Sequence, residues 1–132
     1  MNWRFWAATV AGIVLANLAD WLFAGILFHD RYQAHPEVWR VNGPNPRALV
    51  GAQALTLPTV VGLIALMIWT GQVSLSASLV LALFVWAIAA APPIIANGLF
   101  IKIDPVVVAT HVVGWLAKLA LIGVSTSLIL RL

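Results

Sequence analysis

The stretch WRFWAATVAGIVLANLADWLFAGILF, residues 3–28, decides the fold. It is an apolar run long enough to cross a bilayer, since a span needs roughly 20 predominantly apolar residues. Asp20 lies inside it. An ionisable side chain at that depth is costly and should face protein or water beside a partner. Trp3 and Trp6 stand where interfacial aromatic anchors belong. Ala8, Gly12 and Ala16 recur every four residues and would let another helix approach closely along a seam leading to Asp20. The charged segment before the run is short and no small-residue cleavage site follows it, so the run is expected to remain as a span rather than be removed as a signal peptide.

Three further runs of this kind use up nearly all of the 132 residues. The predicted fold is all-α: a polytopic membrane protein with four transmembrane helices in an antiparallel bundle. Spans are expected at about residues 3–28, 47–69, 75–100 and 105–130, forming a single domain over 1–132, with a polar loop at 29–46. The chain is 63% hydrophobic and 8% charged, with mean hydropathy +1.03. That much apolar surface is best explained by lipid contact. The net charge of +3 comes from few residues and implies no nucleic-acid partner; membrane lipids are the expected surroundings. Without cysteine, disulfides, thiolate metal sites and a cysteine nucleophile are excluded.

Proline and glycine mark the interruptions. Pro36, Pro44 and Pro46, with Asn42-Gly43, prevent one helix from running through the loop. Gln33 to Arg40 could form a short interfacial turn with Tyr32 and Trp39 at headgroup level, or a lid over a cavity. In span two, Thr56 and Thr59 flank Pro58 and can help to satisfy carbonyls that the proline leaves free. Thr70-Gly71-Gln72 reads as a tight turn. In span three, Pro92-Pro93 removes two helical donors, which predicts a kink or local unwinding there. Pro105 suits the first position of the last helix.

Counted at about 1.5 Å per residue from the side carrying the 29–46 loop, Asp20 lies roughly 12 Å deep and Gln53 roughly 9 Å. On the same count Asn97 lies roughly 7 Å deep, His111 roughly 9 Å and Lys118 roughly 20 Å. Each span therefore brings a polar group toward one half of the bilayer, and the break at Pro92 and Pro93 is level with them. These five residues are the ligand- or proton-binding candidates. The plainer reading of Gln53 and Asn97 is hydrogen-bonding glue between helices. Asp20 and Lys118 are expected to pair, because helical side chains lean toward their own N-terminus. The two helices start on opposite sides of the membrane, so the two side chains lean toward one another.

Met1-Asn2-Trp3, the aromatic end of span one, and Asn97-Gly98-Leu99-Phe100 followed by His111 carry a likeness to a known family. Over all four spans the chain resembles the membrane proteins known as domain of unknown function 1761. Members usually end span one with a Trp-Tyr-x-Pro-type segment, where this chain has Asp20-Trp21-Leu22-Phe23. The resemblance implies a four-span fold and supplies no activity.

No catalytic residue, metal site or cofactor is expected. His111, Trp115 and Lys118 share a face, but no serine nucleophile or carboxylate pair accompanies them. The leading functional expectation is a small integral protein of the cell membrane whose polar cavity binds or conducts a small solute or a proton, as a homo-oligomer. The alternatives are a non-catalytic accessory subunit of a larger membrane complex and, third, a membrane enzyme acting on an apolar substrate. Arg31, Arg40, Arg47 and Lys102 on the loop side, against Arg4, Arg131 and the amino terminus on the other, lead us to expect the loops in the cytoplasm and the termini outside.

Overall fold

The computed structural model describes residues 3–38 and 45–131. Helix α1 (Trp3–Asp20) continues into a π-helical stretch, Trp21–Leu27, followed by the short α2 (His29–Gln33) and a 3-10 turn, Pro36–Val38. Span two comprises α3 (Pro46–Ala54) and α4 (Thr56–Trp69); span three comprises α5 (Leu75–Val85), a π-helical turn at Trp86–Ala90, and α6 (Ala91–Phe100). Span four is the single helix α7, Pro105–Arg131. Four helical stretches, Trp3–Leu27, Pro46–Trp69, Leu75–Phe100 and Pro105–Arg131, are long and apolar enough to cross a membrane. No strand occurs among the described residues. Met1, Asn2, Trp39, Arg40, Asn42, Gly43 and Pro44, on which parts of the family likeness, the interfacial turn and the charge count rest, lie outside the described residues.

The ends of the spans follow from side chains that satisfy orphan backbone groups. Asn45 Oδ1 accepts from Ala48 N–H at 3.1 Å, Ser74 Oγ from Ala77 N–H at 3.2 Å, and Asp104 Oδ1 from Val106 N–H at 2.7 Å. Pro46 and Pro105 each open a helix, where a missing N–H costs nothing. After α4 the chain leaves through Gly71 at φ 71°, a conformation that other residues adopt with strain. Gln72 N–H then reaches Met67 O at 2.9 Å and Gly71 N–H reaches Ile68 O at 3.2 Å. That pairing closes the helix and turns the chain toward span three.

The helix breaks fall where proline chemistry acts, not at the prolines themselves. Proline disturbs the carbonyl four residues back, so Pro92 and Pro93 act at Ile88 and Ala89. The irregular turn is accordingly Trp86–Ala90, and α6 resumes at Ala91. The expected break at Ala91-Pro92-Pro93 is therefore one turn earlier than its residues suggested. Pro58 acts in the same way on Ala54, where α3 ends. Thr59 Oγ1 donates to Leu55 O at 3.1 Å across that joint. The π stretch in span one has no proline. There Phe28 N–H reaches back five residues to Phe23 O at 3.1 Å, and Gly25 leaves room for the Trp21 ring, which would lie 3.1 Å from an added Cβ.

Span four is the most buried of the four and packs against each of the others. Its contacts with span one pair Arg4 with Leu130, Gly12 with Ile122 and Asp20 with Lys118. Numbers rise along one helix as they fall along the other. The core consists of Ala8, Ala16, Val60, Leu63, Ile64, Met67, Ala82, Leu119 and Ile122. The small residues on span one bring its backbone close, and the branched residues of spans two and four fill the remaining space. Many large apolar side chains point outward, among them Trp69 and Phe100, as expected for helices solvated by lipid.

Candidate functional site

Lys118 is 6% exposed and stands on the buried face of span four. Its Nζ lies 2.6 Å from Asp20 Oδ2 and 4.4 Å from the centre of the Trp115 ring. Spacing explains the second contact, because residues three apart share a helix face. The first closes the depth difference between the two helices through the opposed lean of their side chains. A carboxylate and an aromatic face thus hold an ammonium group that burial alone would make costly. The burial is unequal: the Asp20 side chain is 50% exposed and that of Lys118 only 7%.

Two turns along span four toward the loop side, His111 Nε2 meets Tyr32 Oη at 3.0 Å, with the rings edge to face. This contact folds α2 over the start of span four. Which atom donates depends on the imidazole tautomer. Tyr32 also feels the charge of Asp20. Beside this contact, Arg31 Nη1 stands 3.7 Å from Asp104 Oδ2, tying α2 to the cap of span four. Together these groups border a cavity of about 400 Å³ between α2, α6 and the start of α7, with Asn97, Val107 and His111 on its wall. From the adjacent π turn, Trp86 Nε1 donates to Val112 O at 2.8 Å and fixes span three to span four just below.

The structure therefore brings Asp20 to Lys118, and Asn97 to the same cavity as His111. Gln53 belongs to neither; it is exposed on α3. Pro92 and Pro93 lie above the π turn that carries Trp86, and Pro93 faces a separate groove. Thr56 Oγ1, 3.5 Å from Asn17 Oδ1, is a polar link between spans one and two. Tyr32, Arg31 and Asp104 escaped sequence reasoning as site residues. Helical periodicity places residues within a span, and it has no hold on where a loop folds back. Among the described residues, no group of three or more His, Asp or Glu gathers as metal ligands would.

The Tyr32 phenol is pushed up to about 12, first by burial and then by the Asp20 carboxylate. It is the only tyrosine of the chain, so phenolate absorbance reports this one group. The expected titration midpoint is near 12 instead of the usual 10. In Asp20→Asn the midpoint falls only part of the way, because burial is the larger cause. A midpoint of 10 in the folded protein would refute this environment. Since the folded chain keeps this proton to higher pH than the unfolded chain, its contribution to stability is whole below pH 10 and is lost as pH rises toward 12.

Four apolar, span-length helices with polar groups gathered on the central one are the architecture of a multi-pass helical membrane protein. Within that class, the chain belongs to the family described as "Protein of unknown function (DUF1761)", whose model matches residues 7–127. No curated protein and no solved structure matches it.

Proposed function

We propose that this is a small integral protein of the cell membrane that binds a small solute, or passes a proton, at a polar cavity on its loop side. The observation that carries the reading is the nearly buried Lys118 held by a half-exposed Asp20, with the Tyr32–His111 contact at the edge of the cavity beside it. An ion pair used only as glue has no need of a titratable imidazole and a phenol in series with an opening. A proton arriving through the cavity has His111 as first acceptor and Asp20 as the next carboxylate. Protonation of Asp20 would release Lys118, which couples charge at the cavity to the packing of spans one and four.

In this reading the loops face the cytoplasm and the termini face outside, on the balance of Arg31, Arg40, Arg47 and Lys102 against Arg4, Arg131 and the amino terminus. Reporters that work only in the cytoplasm should be silent when fused at the C-terminus. Conduction by so few helices favours several copies, so a homo-oligomer is part of the reading. Purified protein in liposomes carrying an internal pH dye should dissipate an imposed proton gradient. His111→Ala and Asp20→Asn should abolish that flux. If the wild-type protein is silent in liposomes but co-purifies with a distinct membrane protein, the accessory-subunit reading replaces this one.

A further inference from the structure

A second concavity, about 420 Å³, lies between spans two and three over the floor made by Trp115 and Leu119 of span four. It is apolar, and its walls are low: Ala89 and Ala90 of the π turn face Gly62, where an added Cβ would meet nothing within 4 Å. Ile94 lines both this groove and the polar cavity. The two hollows are therefore neighbours, divided at the side chain of Ile94.

We infer that the solute of the polar cavity is a single-chain amphiphile with an uncharged hydroxyl head, its head beside Asn97 and its tail laid past Ile94 into the groove of Gly62, Ala89 and Ala90. The inference rests on the proposal that the cavity binds a solute, and it names the class. The head is uncharged because, among the described wall residues, His35 is already engaged by Glu37 at 3.1 Å, and Arg31 and Asp104 already stand 3.7 Å apart. A carboxylate or an ammonium group would meet one like charge and would have to break that pair. A hydroxyl both donates and accepts, as the Asn97 amide does, and the Asn97 side chain has no hydrogen bond to any described residue. The tail fits because the groove offers aliphatic and small side chains with the Trp115 ring beneath them. Phosphatidylcholine chains can reach the groove from the side, but that lipid presents no hydroxyl to Asn97.

The test is photolabelling of the protein in phosphatidylcholine vesicles with a hexadecanol analogue bearing a diazirine at mid-chain. Labelling should saturate, be displaced by excess hexadecanol, and map to peptides containing Gly62 or Ala89. Acid and ammonium analogues of the same chain should label about tenfold less, a difference of about 1.4 kcal/mol. Ile94→Trp should close the passage and Ala90→Phe fill the groove, each removing saturable labelling. Asn97→Leu, at an exposed position, should abolish the preference for the alcohol while leaving the fold intact. Labelling that never saturates, spreads to Trp69 and Phe100, or is equal for the three heads overturns the inference. So does unchanged labelling in Ile94→Trp. Labelling retained in Asp20→Asn while proton flux is lost keeps the two proposals apart: either one can fail alone.

Discussion

Asp20→Asn alone should destabilise the protein by about 3 kcal/mol, the low end for removing one partner of a buried ion pair. Lys118→Met alone should cost roughly 1 kcal/mol or less, the scale of an exposed pair. The asymmetry follows from burial. Without Asp20, an ammonium group with 7% of its side chain exposed keeps only the Trp115 face as compensation, which is why the low end applies. Without Lys118, the carboxylate left behind is half exposed and can take up water or a proton. The double replacement Asp20→Leu with Lys118→Met should return to within about 1 kcal/mol of wild type, since well-packed apolar pairs often replace buried ion pairs at no cost. Unfolding in mixed detergent, followed by tryptophan fluorescence, measures these proteins, and Asp20→Leu alone, expected to behave like Asp20→Asn, closes the double-mutant cycle. Equal costs for the two single variants, or a double variant as unstable as Asp20→Asn, would show that the pair is not coupled in this way. The double variant also separates structure from function: restored stability with lost proton flux assigns the charges to function.

How this pair could be foreseen, and its neighbours could not, comes down to which coordinates a sequence encodes. Depth along a span is counted in residues, and the lean of side chains has a fixed sense. That was enough to join Asp20 to Lys118 across an estimated backbone gap of about 8 Å. Azimuth is harder to read. Gln53 is level with His111 by count, yet it lies on α3, which ends at the joint before α4, and it faces outward. The π stretches shift the helical phase again: the turn at Trp86–Ala90 puts the Trp86 indole on the backbone of span four, and no period of 3.6 predicts that. Tyr32 was legible only as a residue at the membrane surface. Its place on His111 depends on how α2 leaves the end of span one through the π stretch Trp21–Leu27. Hydropathy and turn residues therefore disclose the spans and their caps, and long-range contacts assemble the cavity.

Gly98→Ala should destabilise the protein by about 1–3 kcal/mol, the usual range for forcing extra atoms into a packed contact. Alanine normally favours a helix over glycine by up to about 1 kcal/mol, so the sign of the effect is itself diagnostic. A Cβ at Gly98 would lie 2.7 Å from Val108 Cγ2 and 3.0 Å from its Cγ1. Rotation of Val108 exchanges one methyl for the other and cannot clear both. A β-branched side chain in a helix has one strongly preferred rotamer in any case. The strain therefore passes to the backbones of spans three and four, which here form the polar cavity between Asn97 and His111. Val108→Ala removes both methyls and should restore the stability of Gly98→Ala to that of Val108→Ala alone. Gly12 offers a parallel case against spans two and four, where an added Cβ would lie 2.8 Å from Val60 Cγ1 and 3.6 Å from Ile122 Cγ2. Gly12→Ala should likewise be rescued by Val60→Ala. Gly62→Ala, with nothing within 4 Å, should be neutral or stabilising by its helix propensity. Thermal unfolding of these variants in one detergent settles the order. If Gly98→Ala proves as stable as Gly62→Ala, spans three and four do not approach as closely as 2.7 Å demands, and the cavity between them is wider than described.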